Sequence, residues 1–292
     1  MVVGSTGLVG GEICRRLREG EEDVRAFVRK TSDPGRVQRL RDLGCEIVEG
    51  DLQNRKSLDR ACEGAWSVIS TATTMSSRQP HDTLTKTDLE GQLSLIDAAE
   101  RHDVKRFVLI SVSSNLEGPT TLHKAKRKVE EKLRESGIAY TILKASCFME
   151  IWLSPYFGFD AAGRKARILG AGDKPISFVS LYDVAEIAVQ SLDGDAAANH
   201  TFDVGGPEAL TAAQVVKTFE RLSGDRFDVV HVPQHVLEQQ HDAATDDYEK
   251  TFAGLAVGIC GGDEIDMTDV LRRFPVKLRS IEDFARETLA RA

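Results

Sequence analysis

The chain of 292 residues lacks any surplus of positive charge: 38 Lys and Arg stand against 46 Asp and Glu, a formal net charge of −8. A surface of that sign repels phosphate backbones and anionic headgroups, which argues against a nucleic-acid partner or a membrane surface. The basic cluster Lys124-Ala125-Lys126-Arg127-Lys128 is local and reads mainly as a solvated helix face. No apolar run reaches the about 20 residues that a membrane span takes, and no signal-peptide pattern precedes the first apolar run. Cysteine is sparse and scattered: Cys14, Cys45, Cys62, Cys147 and Cys260 form no Cys-x-x-Cys pair. That excludes a zinc ribbon or a disulfide framework and fits a reducing compartment. These absences predict a soluble, cytoplasmic protein. His231, His235 and His241 with Asp242 are the one tempting metal spacing, but Pro233 interrupts any helix that would align the first two, so no metal is expected. There is no internal repeat and no low-complexity tract.

What is present is an ordinary globular composition, 41% hydrophobic, long enough for one large α/β unit and a smaller lobe. Its organising stretch is the beginning, Met1-Val2-Val3-Gly4-Ser5-Thr6-Gly7-Leu8-Val9-Gly10, where glycines recur every third residue after an apolar run. Gly4 permits a sharp exit from a strand, Gly7 lets backbone approach a bound group, and Gly10 lets the following helix pack closely on the sheet. Such a helix offers free N–H groups and a positive dipole end to a pyrophosphate. The alternative is a glycine-rich turn that binds nothing. Glu12 to Gly20 reads as an amphipathic helix ending at glycine, and Val24 to Arg29 as a second strand, so the motif opens the βαβ unit its mechanism needs.

Strand and helix patterns then alternate: Glu46 to Glu49, a helix around Ser57 to Glu63, and Ser67 to Thr71. A helix is expected from about Thr83 to Arg101, followed by the almost continuously apolar strand Arg106 to Ile110. A loop over 113–121, a helix to about Glu135 and the strand Ala139 to Leu143 follow. This rhythm predicts an α/β fold, a doubly wound parallel Rossmann sheet with a smaller C-terminal substrate lobe. The nucleotide-binding domain is expected over 1–145 with a returning strand near 201–204, and 146–292 mainly builds the smaller lobe, with helices around Thr211 to Leu222 and Ser280 to Leu289. Only three residues precede Gly4, fewer than a central strand usually has, so a shortened N-terminus is expected.

Gly4-Ser5-Thr6-Gly7-Leu8-Val9-Gly10, Phe27-Val28-Arg29-Lys30, Gly50-Asp51-Leu52, Arg106 to Ser111 and Glu130 to Leu143, in that order, make the chain resemble the NmrA-like group of atypical short-chain dehydrogenases/reductases. Phe178 to Ala185 and Gly206 to Thr211 look like that family's later signatures, so the resemblance covers nearly the whole chain. The group includes reductases, quinone oxidoreductases and proteins that bind the dinucleotide without turning it over. A free 2′-hydroxyl wants an acidic partner at the end of the second strand and a 2′-phosphate wants a cation. Here Arg29-Lys30 ends it, positions that contact the 2′-phosphate in the family, so NADP(H) is the expected cofactor. The alternative is a pair of surface charges, with Asp33 the nearby candidate for a ribose carboxylate. By resemblance Asp51, with Leu52, lies by the adenine, and Thr71 and Ala72 line the cleft.

Reduction of a carbonyl also needs a group that meets the developing alkoxide. Short-chain enzymes use Tyr-x-x-x-Lys; aligned on this chain, Lys126 is the lysine and Leu122 stands in place of the tyrosine. Some members related to phenylpropanoid reductases rely on the equivalent lysine alone, which makes Lys126 a general acid or an orienter of the nicotinamide ribose. His123 is the other titratable candidate, or else an exposed first-turn histidine. Ser113 lies where extended members place their catalytic serine, and serves equally as a turn residue. The aromatic run Cys147 to Leu153 and Tyr156 to Phe159 suits a planar or apolar substrate, or forms a hydrophobic seam. The expected function is an NADP(H)-dependent oxidoreductase reducing a small carbonyl, quinone or conjugated substrate; the alternative is a non-catalytic NADP(H) sensor that signals to a protein partner.

Overall fold

The computed structural model describes residues 1–75, 78–116, 118 and 120–291, so Glu117 and Pro119 of the expected 113–121 loop lie outside the described residues. Two compact units share the chain: Met1–Ser111, Thr121–Leu143 and Val184–Phe202 form the first, and Val112–Thr120, Lys144–Asp183 and Asp203–Ala292 the second.

The first unit is built in the order β1 (Val2–Val3), α1 (Leu8–Glu19), β2 (Arg25–Val28), α2 (Pro34–Asp42), β3 (Glu46–Glu49), α3 (Arg55–Cys62) and β4 (Ser67–Ser70). A π-helical segment, Leu84–Gly91, then runs into α4 (Gln92–Arg101), followed by β5 (Arg106–Val112), α5 (Thr121–Glu135) and β6 (Ala139–Ala145). Later come α7 (Leu181–Gln190), after a short α6 (Met149–Trp152) of the second unit, and β9 (His200–Val204). The sheet has seven strands in the order β3-β2-β1-β4-β5-β6-β9, so the chain returns at 200–204 to close an edge. Val2 and Val3 pair in parallel with Ala26 and Phe27 on one side and with Ile69 and Ser70 on the other. This is an α/β Rossmann-like sheet, in which helical crossovers cover both faces. Its core joins Val3, Phe27, Leu58, Val68, Phe107, Leu133 and Ile142.

Local signals explain most boundaries. Asp33 accepts from the Arg36 N–H at 2.8 Å and Pro34 opens α2, while Asn54 caps α3. The helix expected from Thr83 to Arg101 is instead π-wound over its first half, and Leu84, Thr87, Asp88 and Gly91 of that half are buried. The close approach explains the glycine: a Cβ on Gly91 would stand 2.9 Å from the Leu52 Cβ.

The second unit carries β7 (Phe159–Asp160) and β8 (Lys165–Leu169), joined by β10 (Asp228–Val232) in a three-stranded sheet of order β10-β8-β7. Around it lie α8 (Ala212–Ser223), α9 (Gln234–Ala243), α10 (Asp247–Cys260), α11 (Thr268–Arg273) and α12 (Ile281–Arg291). Thr211 and Gln214 form a reciprocal capping box at the start of α8. The aromatic stretch is largely core here: Cys147, Met149, Leu153 and Phe159 join Phe178, Phe219, Phe227 and Phe284.

Among the described glycines of the first unit, the tightest approach is in the β1–α1 turn. A Cβ on Gly10 would lie 2.3 Å from the Gly4 carbonyl oxygen and 2.9 Å from Thr71 Oγ1, both fixed by the sheet. Gly10→Ala should therefore cost about 2–3 kcal/mol, as overpacking does, and lower Tm by several degrees in a thermal melt; an unchanged Tm would show that the turn yields.

Candidate functional site

The glycine turn shapes an anion cradle at the start of α1. Gly4 adopts φ +84°, a left-handed conformation that glycine takes without strain, and turns the chain out of β1. The Gly7 N–H returns to the Gly4 carbonyl at 2.9 Å, and Gly7 then stands as the N-cap of α1 with no side chain capping the first turn. No acidic residue occupies that turn, and Leu8 is 57% exposed, so the N–H groups at the end of the helix are open to an approaching anion. Ser5 is not part of that opening: its buried Oγ donates to the Phe27 carbonyl at 3.0 Å and ties the turn to β2. Thr71 Oγ1 donates to the Val3 carbonyl at 3.2 Å, and the Ala72 carbonyl accepts from Gln92 Nε2 at 3.1 Å, which fixes the segment after β4 beside the turn.

A dinucleotide fits this donor set. The space at Gly7 is open: an added Cβ would meet only the Gly4 carbonyl oxygen, at 3.1 Å, so glycine there serves the opening above the turn rather than packing beneath it.

The end of β2 departs from the sequence reading. Arg29 Nη1 donates to Asp82 Oδ2 at 2.6 Å, and Asp82 is a buried carboxylate that also accepts from Gln53 Nε2 and the Gln79 N–H. The acidic residue missing near the strand end thus arrives from 53 positions downstream. Asp33, the candidate ribose carboxylate of the alternative reading, is committed to capping α2. Lys30 is exposed and forms no side-chain hydrogen bond or ion pair among the described residues. Arg36, which sequence reasoning passed over, reaches back from α2 so that Nη1 donates to the Thr6 carbonyl at 3.0 Å. Asp51 lies in the turn after β3, its Oδ1 accepting from the Gln53 N–H at 2.8 Å, with buried Leu52 next to it.

Lys126 and His123 share the buried face of α5 with Leu122. The first-turn histidine is therefore not exposed: His123 is 3% accessible. Lys126 Nζ lies 3.4 Å from the Ile110 carbonyl. Burial holds its pKa below the ordinary lysine range, while the carboxylates of Asp88 and Glu130 oppose that shift. Asp88 comes from the π-helical segment, is fully buried, and takes hydrogen bonds on one oxygen from the Thr74 N–H and hydroxyl at 3.0 and 2.6 Å. Its other oxygen has no partner among the described residues. Glu130 is held by the Ser111 hydroxyl at 2.6 Å. Nothing in the sequence pointed to Asp88 as a neighbour of Lys126, because the two lie on separate elements far apart in the chain.

Ser113 belongs to the second unit, where its Oγ donates to the buried Asp263 Oδ1 at 2.7 Å. Burial raises the Asp263 pKa, opposed by the neighbouring polar groups of Ser146, Ser113 and Asn115, of which the Ser113 hydroxyl donates a hydrogen bond. Among the described residues no three His, Cys, Asp or Glu side chains gather as metal ligands, and no helix is long and apolar enough to cross a membrane.

A profile of the NmrA-like family matches residues 1–260. The chain belongs to the NmrA-like family. The photosystem II assembly factor Ycf39 of Synechocystis sp. is 30% identical over 240 residues, 81% of this chain and 71% of that protein. The (4-alkanoyl-5-oxo-2,5-dihydrofuran-3-yl)methyl phosphate reductase of Streptomyces griseus is 31% identical over 224 residues, 77% of this chain and 73% of that one. Among solved structures, the NADPH-dependent quinone oxidoreductase of Escherichia coli complexed with NADPH superposes with a TM-score of 0.80 at 19% identity, covering 98% of each chain. That likeness confirms the fold.

Two outcomes follow from the cradle. Gly7→Val should leave the far-ultraviolet circular dichroism and Tm close to those of the parent, yet abolish NADPH binding in a calorimetric titration; retained micromolar affinity would place the cofactor elsewhere. Lys30→Ala and Arg36→Ala should each weaken NADPH by roughly tenfold or more, as loss of a charge-assisted hydrogen bond does, and leave NADH nearly unchanged. Equal losses for both cofactors would remove the 2′-phosphate assignment. Arg29→Ala is the poorer test, because it strands the buried Asp82 carboxylate.

Proposed function

We propose that this protein is an NADP(H)-dependent oxidoreductase that reduces a small carbonyl, quinone or related conjugated substrate. The observation that carries the reading is a buried, acid-poised lysine in the same unit as an uncapped, glycine-walled helix N-terminus. When bound, the nicotinamide dinucleotide supplies the hydride. The turn Gly4 to Gly10 holds the pyrophosphate through the backbone N–H groups at the start of α1, those of Leu8, Val9 and Gly10, which need no charged side chain, while Gly4, Ser5, Thr6 and Gly7 shape the turn beneath it. Arg29, Lys30 and Arg36 present cations to the 2′-phosphate, Asp51 and Leu52 bound the adenine side, and Thr71 and Ala72 line the cleft.

Lys126 gives the proton. Leu122, in the place of the family tyrosine, has nothing to donate, so the developing alkoxide must be met by another group. Burial lowers the lysine pKa and makes its ammonium a stronger acid, while Asp88 and Glu130 oppose full loss of the charge. His123, buried three positions earlier on α5, is the second candidate. Ser113, bound to Asp263, has its hydroxyl proton already directed at a carboxylate and fits a positioning role better than a donating one. The five cysteines are all unpaired, which supports a reducing, cytoplasmic setting.

The rival reading is an NADP(H)-responsive protein that binds the cofactor without turnover and passes its redox state to a protein partner. Leu122 favours it, as does kinship with an assembly factor.

Lys126→Met keeps the apolar stem and removes the charge. It should lower turnover by about 10²–10⁴, the range of general acid catalysis, and leave NADPH affinity largely intact. In the parent protein the rate should fall as pH rises through the depressed lysine pKa, since only the ammonium donates; that limb lies below the ordinary lysine value of about 10.4 and should vanish in the variant. Equal rates for parent and variant would transfer the role to His123 or water. A screen of quinones, aldehydes and azo dyes in which none oxidises NADPH would favour the sensor.

A further inference from the structure

The second unit contains a cavity of its own. It has a volume of about 70 Å³, opens to solvent, and lies among Trp152, Phe157, Phe159, Ile168, Phe178 and Val216. The Trp152 and Phe157 rings stand with centroids 4.5 Å apart and planes tilted by 36°, forming an aromatic wall. Such a surface takes a planar apolar body.

Two cations also line it, Arg167 and Lys174. Both are exposed, and among the described residues neither makes a side-chain hydrogen bond or an ion pair. That contrasts with other arginines of the unit: Arg164 pairs with Asp225, Arg221 and Arg286 with Glu282, and Arg279 with Glu287. In a chain with more carboxylates than cations, two positive side chains on an apolar cavity have been left without a protein counter-charge. Arg167 is held by its surroundings: a Cβ on Gly158 would stand 2.9 Å from the Arg167 Cβ. The turn after β8 is equally close, since a Cβ on Gly172 would lie 2.3 Å from Ile168 Cγ2.

We propose that this cavity binds a small organic anion with a flat apolar body, its carboxylate or phosphate monoester group held by Arg167 and Lys174 and its rings against Trp152 and Phe157. Guanidinium and ammonium groups beside an apolar wall select such a ligand over its neutral isostere, because charge-assisted hydrogen bonds strengthen where water is partly excluded. The inference concerns binding alone and stands whether or not the first unit carries out turnover.

The test is calorimetric titration of the full chain, without cofactor, with 2-naphthoate, 2-naphthyl phosphate and the neutral 2-naphthamide. At least one of the two anions should bind on the order of tenfold or more tightly than the amide, and which one does so identifies the head group. Arg167→Gln and Lys174→Gln should each weaken that anion by about tenfold and leave the amide unchanged. Val216→Trp, which fills the cavity, should abolish binding of all three. The two charge variants alter exposed side chains and remain decisive if Val216→Trp does not fold. Amide affinity equal to that of both anions, charge variants that bind them as the parent does, or no binding of any probe at millimolar concentration would each overturn the proposal.

Discussion

The constraint on which the first unit rests is the contact between the start of α1 and the end of β1, where two stretches of backbone come closer than any side chain would allow. A Cβ at Gly10 would stand 2.3 Å from the Gly4 carbonyl. β1 is only Val2 and Val3, yet it is the strand between β2 and β4, so both its neighbours need it in register. The turn must leave that strand at once, reverse, and lay α1 on the sheet within four residues. Gly4 supplies the left-handed exit, Gly10 the close approach, and Ser5 and Thr71 anchor the turn on both sides through the Phe27 and Val3 carbonyls. With glycine at the N-cap, Gly7, no side chain closes the first turn, and the helix end that the same turn lays on the sheet keeps its N–H groups free of a capping side chain.

Much of this was legible because it is local. The three glycines, the alternation of strand and helix, the apolar run of β5 and the return near 201–204 all depend on residues adjacent in sequence or on simple periodicity. What was not legible depends on distant residues meeting. The strand end after Val28 reads as purely basic, and becomes an Arg29–Asp82 ion pair only when the segment after β4 folds over it. Asp88 reads as one more polar residue of an amphipathic helix, and its place beside Lys126 appears only when that segment packs on α5. The small sheet escaped for a different reason. β7 has two residues and β10 is exposed along most of its length, so neither shows the apolar alternation that marks a strand.

The aromatic stretch after β6 illustrates a choice that the sequence posed too sharply. It read either as a substrate wall or as a hydrophobic seam. In the structure Leu153 and Phe159 belong both to the core of the second unit and to the lining of its cavity, with Trp152 packed against that core. Cavity walls in small lobes are built from the same side chains that stabilise the lobe, so residue type cannot separate the two roles. Charge can: Arg167 and Lys174 contribute nothing to an apolar core, and their unneutralised presence on the lining distinguishes a binding surface from a packing defect.

Lys126 connects stability to chemistry in the first unit. Its folded-state pKa is lowered by burial, so between that value and the unfolded value the unfolded chain binds more protons than the folded one. Stability attributable to this residue therefore rises with pH across that window, and below it the buried ammonium carries its full desolvation cost. Asp88 and Glu130 offset part of that cost, at the expense of burying two carboxylates of their own. Three ionisable groups in one interior are an inefficient way to stabilise a helix against a sheet, since apolar residues of similar volume would do as well or better. Leu122, one turn earlier on the same buried face, is that economical solution. The contrast between the two turns of α5 marks Lys126, rather than its neighbours, as the costly position, and on the proposed reading the proton it holds inside the fold is what that cost serves.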